Sequence, residues 1–125
     1  MKTYAAAGHT DFVLCLGYLG HVIKDFFLNY EAFTGDFTIS LGADKEIEFH
    51  GGMAGENWRV TLADTGDAAQ TGARIKRIRK YVADDENFML TYGDGLSGLD
   101  LGGLLDFHKS HGKIMTVTGV RPPGR

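Results

Sequence analysis

The sequence predicts an α/β domain with a mostly parallel sheet. Short apolar runs that read as buried strands alternate with segments whose apolar residues recur at helical spacing. Glycine stands at the ends of several runs, where it breaks one element from the next. The alternation continues through nearly all of the 125 residues, as expected of strands joined by helical crossovers.

Taken in order, "DFVLCLGY" (11–18) is a strand that Gly17 ends. "GHVIKDFFLNY" (20–30) is a helix, with Val22, Ile23, Phe26, Phe27 and Tyr30 at helical spacing. "FTISL" (37–41) and "EIEFH" (46–50) alternate as the two arms of a half-exposed hairpin, and "GGMAGEN" (51–57) is a loop. The hairpin reads as an insertion at about 33–57 in one partial domain, 1–125. "WRVTLAD" (58–64) is a strand, and "TGARIKRIRKYV" (71–82) is a helix with Ile75, Ile78 and Val82 on one face. "NFMLTY" (87–92) and "KIMTVTGV" (113–120) are the remaining strands. A helix over 99–112 lies between them, with Ser97 and Asp100 at capping-box spacing and Gly112 as its stop. "MKTYAAAG" reads as the tail of a helix and "RPPGR" as a loop after a strand. The chain is therefore expected to be the middle of a larger domain, its sheet incomplete at both ends.

A net charge of −3 does not suit a surface that neutralises phosphate backbones, so no nucleic-acid partner is expected. No segment has the ~18 apolar residues of a membrane span, so no membrane partner is expected either. The single cysteine, Cys15, lies in an apolar run. It reads as a structural thiol in a reducing, cytoplasmic setting, with nothing nearby to lower its pKa.

Two stretches can carry chemistry. "TYGDG" (91–95) places Asp94 between Gly93 and Gly95, at the carboxyl end of an expected strand, where ligands bind in open α/β sheets. A carboxylate there can hold Mg²⁺ together with phosphates and water, or it can be a turn aspartate bonded to its own backbone. "DTGDAAQTGAR" (64–74) is a loop running into a helix. Its backbone N–H groups could face an anion and Arg74 could clamp a phosphate, or the loop can be an ordinary capped connection. The basic residues of "RIKRIRK" (74–80) read as a solvated helix face. His108 and His111, three apart on one helix, could pair on a metal; no third ligand is evident, and the solvent side is expected for both.

"DFVLCLGYLGHVIKDFFLNY", "WRVTLADTGDAAQTGARIKRIRKYV", "FMLTYGDGLSGLDLGGLLDFHKSHGK" and the closing "PPGR" resemble the middle of the glucose-1-phosphate cytidylyltransferase family of sugar nucleotidyltransferases. The resemblance is weakest over 31–57. It implies a Rossmann-like nucleotidyltransferase fold in three layers. It also implies an enzyme that joins CTP and glucose 1-phosphate into CDP-glucose with release of pyrophosphate, for surface polysaccharide. Mg²⁺ is the implied cofactor and a homo-oligomer the implied assembly. Asp94 falls on the family's metal-binding aspartate and Gly93 on a substrate-contacting glycine. Arg74 falls on a substrate-binding arginine, and Thr71 and Gly72 lie in the same nucleotide-binding loop.

The sequence departs from the family pattern at several points. Ala69 stands at a substrate-contacting serine, Ala73 at the second glycine of "TGGR", and Gly98 at an acidic residue. The family's "GGxGTR" and "KPKP" segments are absent, and a second metal-binding aspartate lies beyond the matched region. The chain alone is therefore expected to lack cytidylyltransferase activity. A binding module without turnover, and a self-assembling structural piece whose open sheet edge recruits partners, are the alternatives.

Overall fold

The computed structural model describes residues 1–51, 57–95 and 97–120. Most of the expected loop 51–57 and the closing "PPGR" lie outside the described residues. The chain forms two compact units. One comprises Thr10–Phe88 with Met1; the other comprises Lys2–His9 and Met89–Arg125.

In the first unit, β1 (Asp11–Leu16) and β4 (Arg59–Asp64) pair in parallel, with Asp11 opposite Arg59 and Leu16 opposite Asp64. Parallel neighbours need a long crossover, which the chain supplies with α2 (Gly20–Leu28), α3 (Tyr30–Thr34) and the hairpin. The first pair in the register also carries an ion pair, Arg59 Nη1 to Asp11 Oδ2 at 2.7 Å. Both side chains are largely exposed, so this contact helps fix register more than it adds stability. Leu16, Ala63 and Ile78 are the buried apolar residues of this unit among those described.

The expected helix over 20–30 is interrupted at Asn29. Its side-chain amide donates to the Asp25 carbonyl and carboxylate, both at 2.9 Å, and competes with the helical ladder. Phe26, Phe27, Tyr30 and Phe33 pack ring to ring at centroid distances of 5.4–5.8 Å. Phe27, Tyr30, Trp58, Val60 and Leu62 line an apolar groove of about 450 Å³.

The hairpin forms as read, with β2 (Asp36–Ser40) antiparallel to β3 (Glu46–His50). Phe37 opposes Phe49 and Ile39 opposes Ile47, which puts the four on one face by strand alternation, and all are exposed. The expected helix over 71–82 divides into α4 (Thr71–Arg77) and α5 (Arg79–Val82). The break falls at Ile78, whose φ of −87° and ψ of 2° leave the helical region while its side chain is only 4% exposed.

The second unit holds α1 (Lys2–Ala6) and α6 (Leu101–His111). Asp100 is itself the N-cap of α6, its carboxylate accepting the Gly103 N–H at 3.1 Å, so the Ser97 capping box does not form. Gly112 ends the helix in the left-handed region at φ 61°.

The strands expected at 87–92 and 113–120 are not strands. Most of their apolar residues remain exposed, Leu90 and Val117 among them, while Met89 is half-buried. Strand alternation becomes a strand only where the backbone finds a ladder partner, and neither segment has one among the described residues. The class is α/β with a parallel sheet, as expected, but that sheet is the β1–β4 pair, with the antiparallel hairpin separate from it.

Ile78→Ala should lower the unfolding free energy by about 2–4 kcal/mol in urea titrations, because it empties a packed site. A loss below about 1 kcal/mol would show that the break in the α4–α5 segment is not held by burial.

Candidate functional site: the loop after β4 and the Asp94 turn

β1 and β4 run in the same direction, so the turns after Leu16 and Asp64 emerge side by side at their carboxyl ends. Thr65, 1% exposed, joins them. Its N–H donates to the Leu16 carbonyl at 2.8 Å, and its hydroxyl donates to the same oxygen at 2.7 Å. Arg74 reaches back from α4 to donate Nη1 to the Leu16 carbonyl at 3.0 Å and to Thr65 Oγ1 at 2.7 Å. Its Nη2 donates to the Asp67 carbonyl at 3.3 Å. Arg77 donates Nη1 to the Thr65 carbonyl.

Arg74 was a candidate phosphate clamp on sequence grounds. Here its guanidinium holds the two turns together, and only Nε–H and one Nη2–H are left for anything else. Gly17 makes room for it: a Cβ there would lie 2.5 Å from Nη2 and 2.6 Å from Nη1.

The loop continues through an Asx turn, in which the Gly66 N–H donates to Asp64 Oδ1 at 3.0 Å with Gly66 at φ 82°. The Ala69 N–H then closes on the Gly66 carbonyl at 3.4 Å, and Gln70 leads into α4 with extended dihedrals. Ala69 is half-buried, whereas Thr71 and Gly72 are exposed. A Cβ on Gly72 would meet nothing within 4 Å, so this part of the loop is open to a ligand. Beside the loop lies a cleft of about 350 Å³, whose walls include His21, Lys24, Asp64 and Asp67. Asp64 and Asp67 fall in the stretch 64–74 that the sequence marks as a candidate, without a role of their own, whereas His21 and Lys24 lie in the expected helix 20–30 and carry no sequence signal beyond following a strand.

Gly93 and Asp94 belong to the other unit. Both are exposed in a turn closed by the Gly95 N–H on the Tyr92 carbonyl at 3.1 Å. The Asp94 carboxylate takes no part in closing that turn and has no hydrogen-bond or ion-pair partner among the described residues. The N–H two residues on, which an Asx turn at Asp94 would use, lies outside the described residues. No group of three metal-ligating side chains forms among the described residues. An exposed carboxylate such as Asp94 is one ligand of the kind Mg²⁺ accepts.

His108 and His111 do not both face solvent, as the sequence suggested; they are half-buried on Thr116. The Lys113 N–H donates to His111 Nδ1 at 2.9 Å, which puts the ring proton on Nε2, and Nε2 donates to Thr116 Oγ1 at 2.8 Å. His108 Nδ1 lies 2.8 Å from the same hydroxyl. With its Nε2 protonated, His111 is not arranged as a metal ligand, and the pair reads as a structural cap after α6.

Cys15 is half-buried rather than fully buried, and it does have a charged neighbour. Burial raises its pKa, and the Arg74 guanidinium opposes this without cancelling it. A thiol whose folded pKa is raised stays neutral in the native state where the unfolded chain would ionise. Its contribution is complete below the unfolded value of about 8.5 and is lost as pH rises through the folded pKa. Stability should therefore decline above pH ~8.5 in the wild type and decline less in Cys15→Ala, measured by urea unfolding across pH 7–10. Equal slopes would contradict the burial of this thiol.

No family model matches the chain. Proteins named glucose-1-phosphate cytidylyltransferase from Salmonella typhimurium and Salmonella typhi are each 49% identical to it over 125 residues. That is 100% of this chain and 48% of each relative. A probable glucose-1-phosphate cytidylyltransferase of Bacillus subtilis is 38% identical over 120 residues, 96% of this chain and 46% of the relative. The chain thus spans about half the length of the curated relatives it matches. The resemblance read from the loop after β4 and the Asp94 turn holds along this whole chain, which is homologous to part of the glucose-1-phosphate cytidylyltransferases.

Proposed function

We propose that the chain carries the nucleotide loop and one metal-binding carboxylate of a cytidylyltransferase acting on CTP and glucose 1-phosphate. The observation that carries this reading is 49% identity along the whole chain to proteins of that name. In the proposed reaction a phosphate oxygen of glucose 1-phosphate attacks the α-phosphorus of CTP in line. The bond to the β-phosphate breaks, giving CDP-glucose and pyrophosphate. Such a transfer depends on positioning and on charge stabilisation rather than on a protein nucleophile.

The exposed stretch Thr71–Gly72, with Ala69 behind it, would face the nucleotide through backbone N–H groups, since Ala69 offers no hydroxyl. Arg74 has two donors to spare for the nucleotide, and Gly93 leaves the backbone beside Asp94 open. Asp94 would hold Mg²⁺, whose chemistry is to neutralise charge on the transferring phosphates. Self-association belongs to the same proposal and is supported by apolar residues left uncovered, such as Phe33, Phe37 and Phe49. A cytoplasmic setting is supported by one unpaired cysteine. Among the described residues no helix is long and apolar enough to cross a membrane.

CTP with Mg²⁺ should raise the melting temperature of the chain. Free ligand at a hundredfold excess over Kd stabilises the native state by about 2.7 kcal/mol. Asp94→Asn should remove the Mg²⁺-dependent part of the rise. A rise that ignores Mg²⁺ and survives Asp94→Asn would overturn the assignment of Asp94. No rise with CTP would overturn the reading of the loop.

A further inference from the structure

We infer that Arg77 is a positioning residue, one that holds the loop Thr65–Gln70 in its nucleotide-accepting shape without touching the nucleotide. The inference rests on the proposed reading that this loop takes CTP.

Thr65 is where the loop leaves the sheet, and each of its polar groups is committed. Its N–H goes to the Leu16 carbonyl, its hydroxyl gives to Leu16 and takes from Arg74, and its carbonyl takes from Arg77. Arg77 comes from the last turn of α4, twelve residues on, so its bond ties the start of the loop to the helix that follows it.

Gly66 shows how closely loop and guanidinium fit. A Cβ at this position would lie 2.6 Å from Arg77 Nη1, and the backbone there is at φ 82°. The Gly66 carbonyl in turn accepts the Ala69 N–H, at the base of the exposed stretch Thr71–Gly72. Releasing Arg77 therefore removes the bond on the carbonyl side of the Thr65–Gly66 peptide that leads into that turn, leaving the peptide held only by the Gly66 N–H on Asp64 Oδ1. A loop ordered before its ligand arrives does not lose that conformational freedom on binding, so its disorder should appear as lost affinity. Arg74 braces the same loop but is also a candidate contact. Arg77 is where bracing can be separated from contact.

The test is calorimetric titration of CTP with Mg²⁺ into the full chain, for wild type, Arg77→Ala, Arg77→Lys and Gly66→Ala, well below each melting temperature. Arg77→Ala should weaken CTP binding about tenfold, the scale of one charge-assisted hydrogen bond. Arg77→Lys should recover most of that, since an ammonium can still reach a single carbonyl. Gly66→Ala should weaken binding through both the clash with Arg77 and the strain at φ 82°, and should weaken it less in a double variant with Arg77→Ala, where only the strain remains. Unchanged affinity in Arg77→Ala, even with a lowered melting temperature, would overturn the positioning role and leave a structural one. Should Arg77→Ala fail to fold, Gly66→Ala carries the comparison, and unchanged affinity there overturns the role equally. No CTP binding by the wild type would overturn the reading of the loop and the positioning role with it; binding by wild type and Arg77→Ala alike would overturn the positioning role alone.

Discussion

The carbonyl oxygen of Leu16 accepts three donors: the Thr65 N–H, the Thr65 hydroxyl and Arg74 Nη1. The local chemistry of the first unit depends on this one atom. It sits at the end of β1, opposite the end of β4, so whatever binds it joins the two turns at the carboxyl edge of the parallel pair. Thr65 can be almost fully buried only because its hydroxyl both gives and takes a hydrogen bond; an unpartnered buried hydroxyl would cost about 1–3 kcal/mol by mutational measures. The absence of a side chain at Gly17 follows from the same contact, since a Cβ there would displace the guanidinium.

Arg74 suits this place because its donors lie in a fixed planar fork. One nitrogen serves both the Leu16 carbonyl and Thr65 Oγ1 while the other reaches the Asp67 carbonyl. A lysine ammonium is a single point of charge and cannot span these acceptors in one geometry. The same guanidinium biases the Cys15 thiol toward ionisation, though burial wins. One side chain therefore braces the loop, tunes a thiol and keeps two donors for a ligand. The neighbouring Arg77 only braces, through the Thr65 carbonyl.

Local signals were legible in the sequence and distant pairings were not. Gly17 ends β1 and Gly112 ends α6 as read, because a glycine stop is decided within a few residues of itself. The hairpin, though not its register, was visible in the alternation of Phe37, Ile39, Ile47 and Phe49. The segments 87–92 and 113–120 carry short apolar stretches that also read as strands, yet a strand needs a neighbour, and nothing in their own composition says whether one is present. Arg74 was picked out, but its partner Leu16 lies 58 residues away, so its bracing role could not be read from spacing. Thr116 lies only eight and five residues from His108 and His111, but it stands past the Gly112 stop, so spacing along the helix does not reveal it. At Asp94 the flanking glycines marked an accessible turn, and the structure places the residue exposed in one, closed by the Gly95 N–H on the Tyr92 carbonyl.

The central claim is that Arg74 and Thr65 act as one clamp on the Leu16 carbonyl. The most direct measurement is a double-mutant cycle on unfolding free energy, with Arg74→Lys, Thr65→Val and the pair. The clamp predicts a coupling energy within the 0.5–3 kcal/mol seen for groups sharing a hydrogen-bond network, with the double mutant losing less than the two single losses combined, as an order-of-magnitude expectation of roughly 1 kcal/mol. Additive losses, within about 0.3 kcal/mol, would mean that the two side chains act independently and would contradict the account.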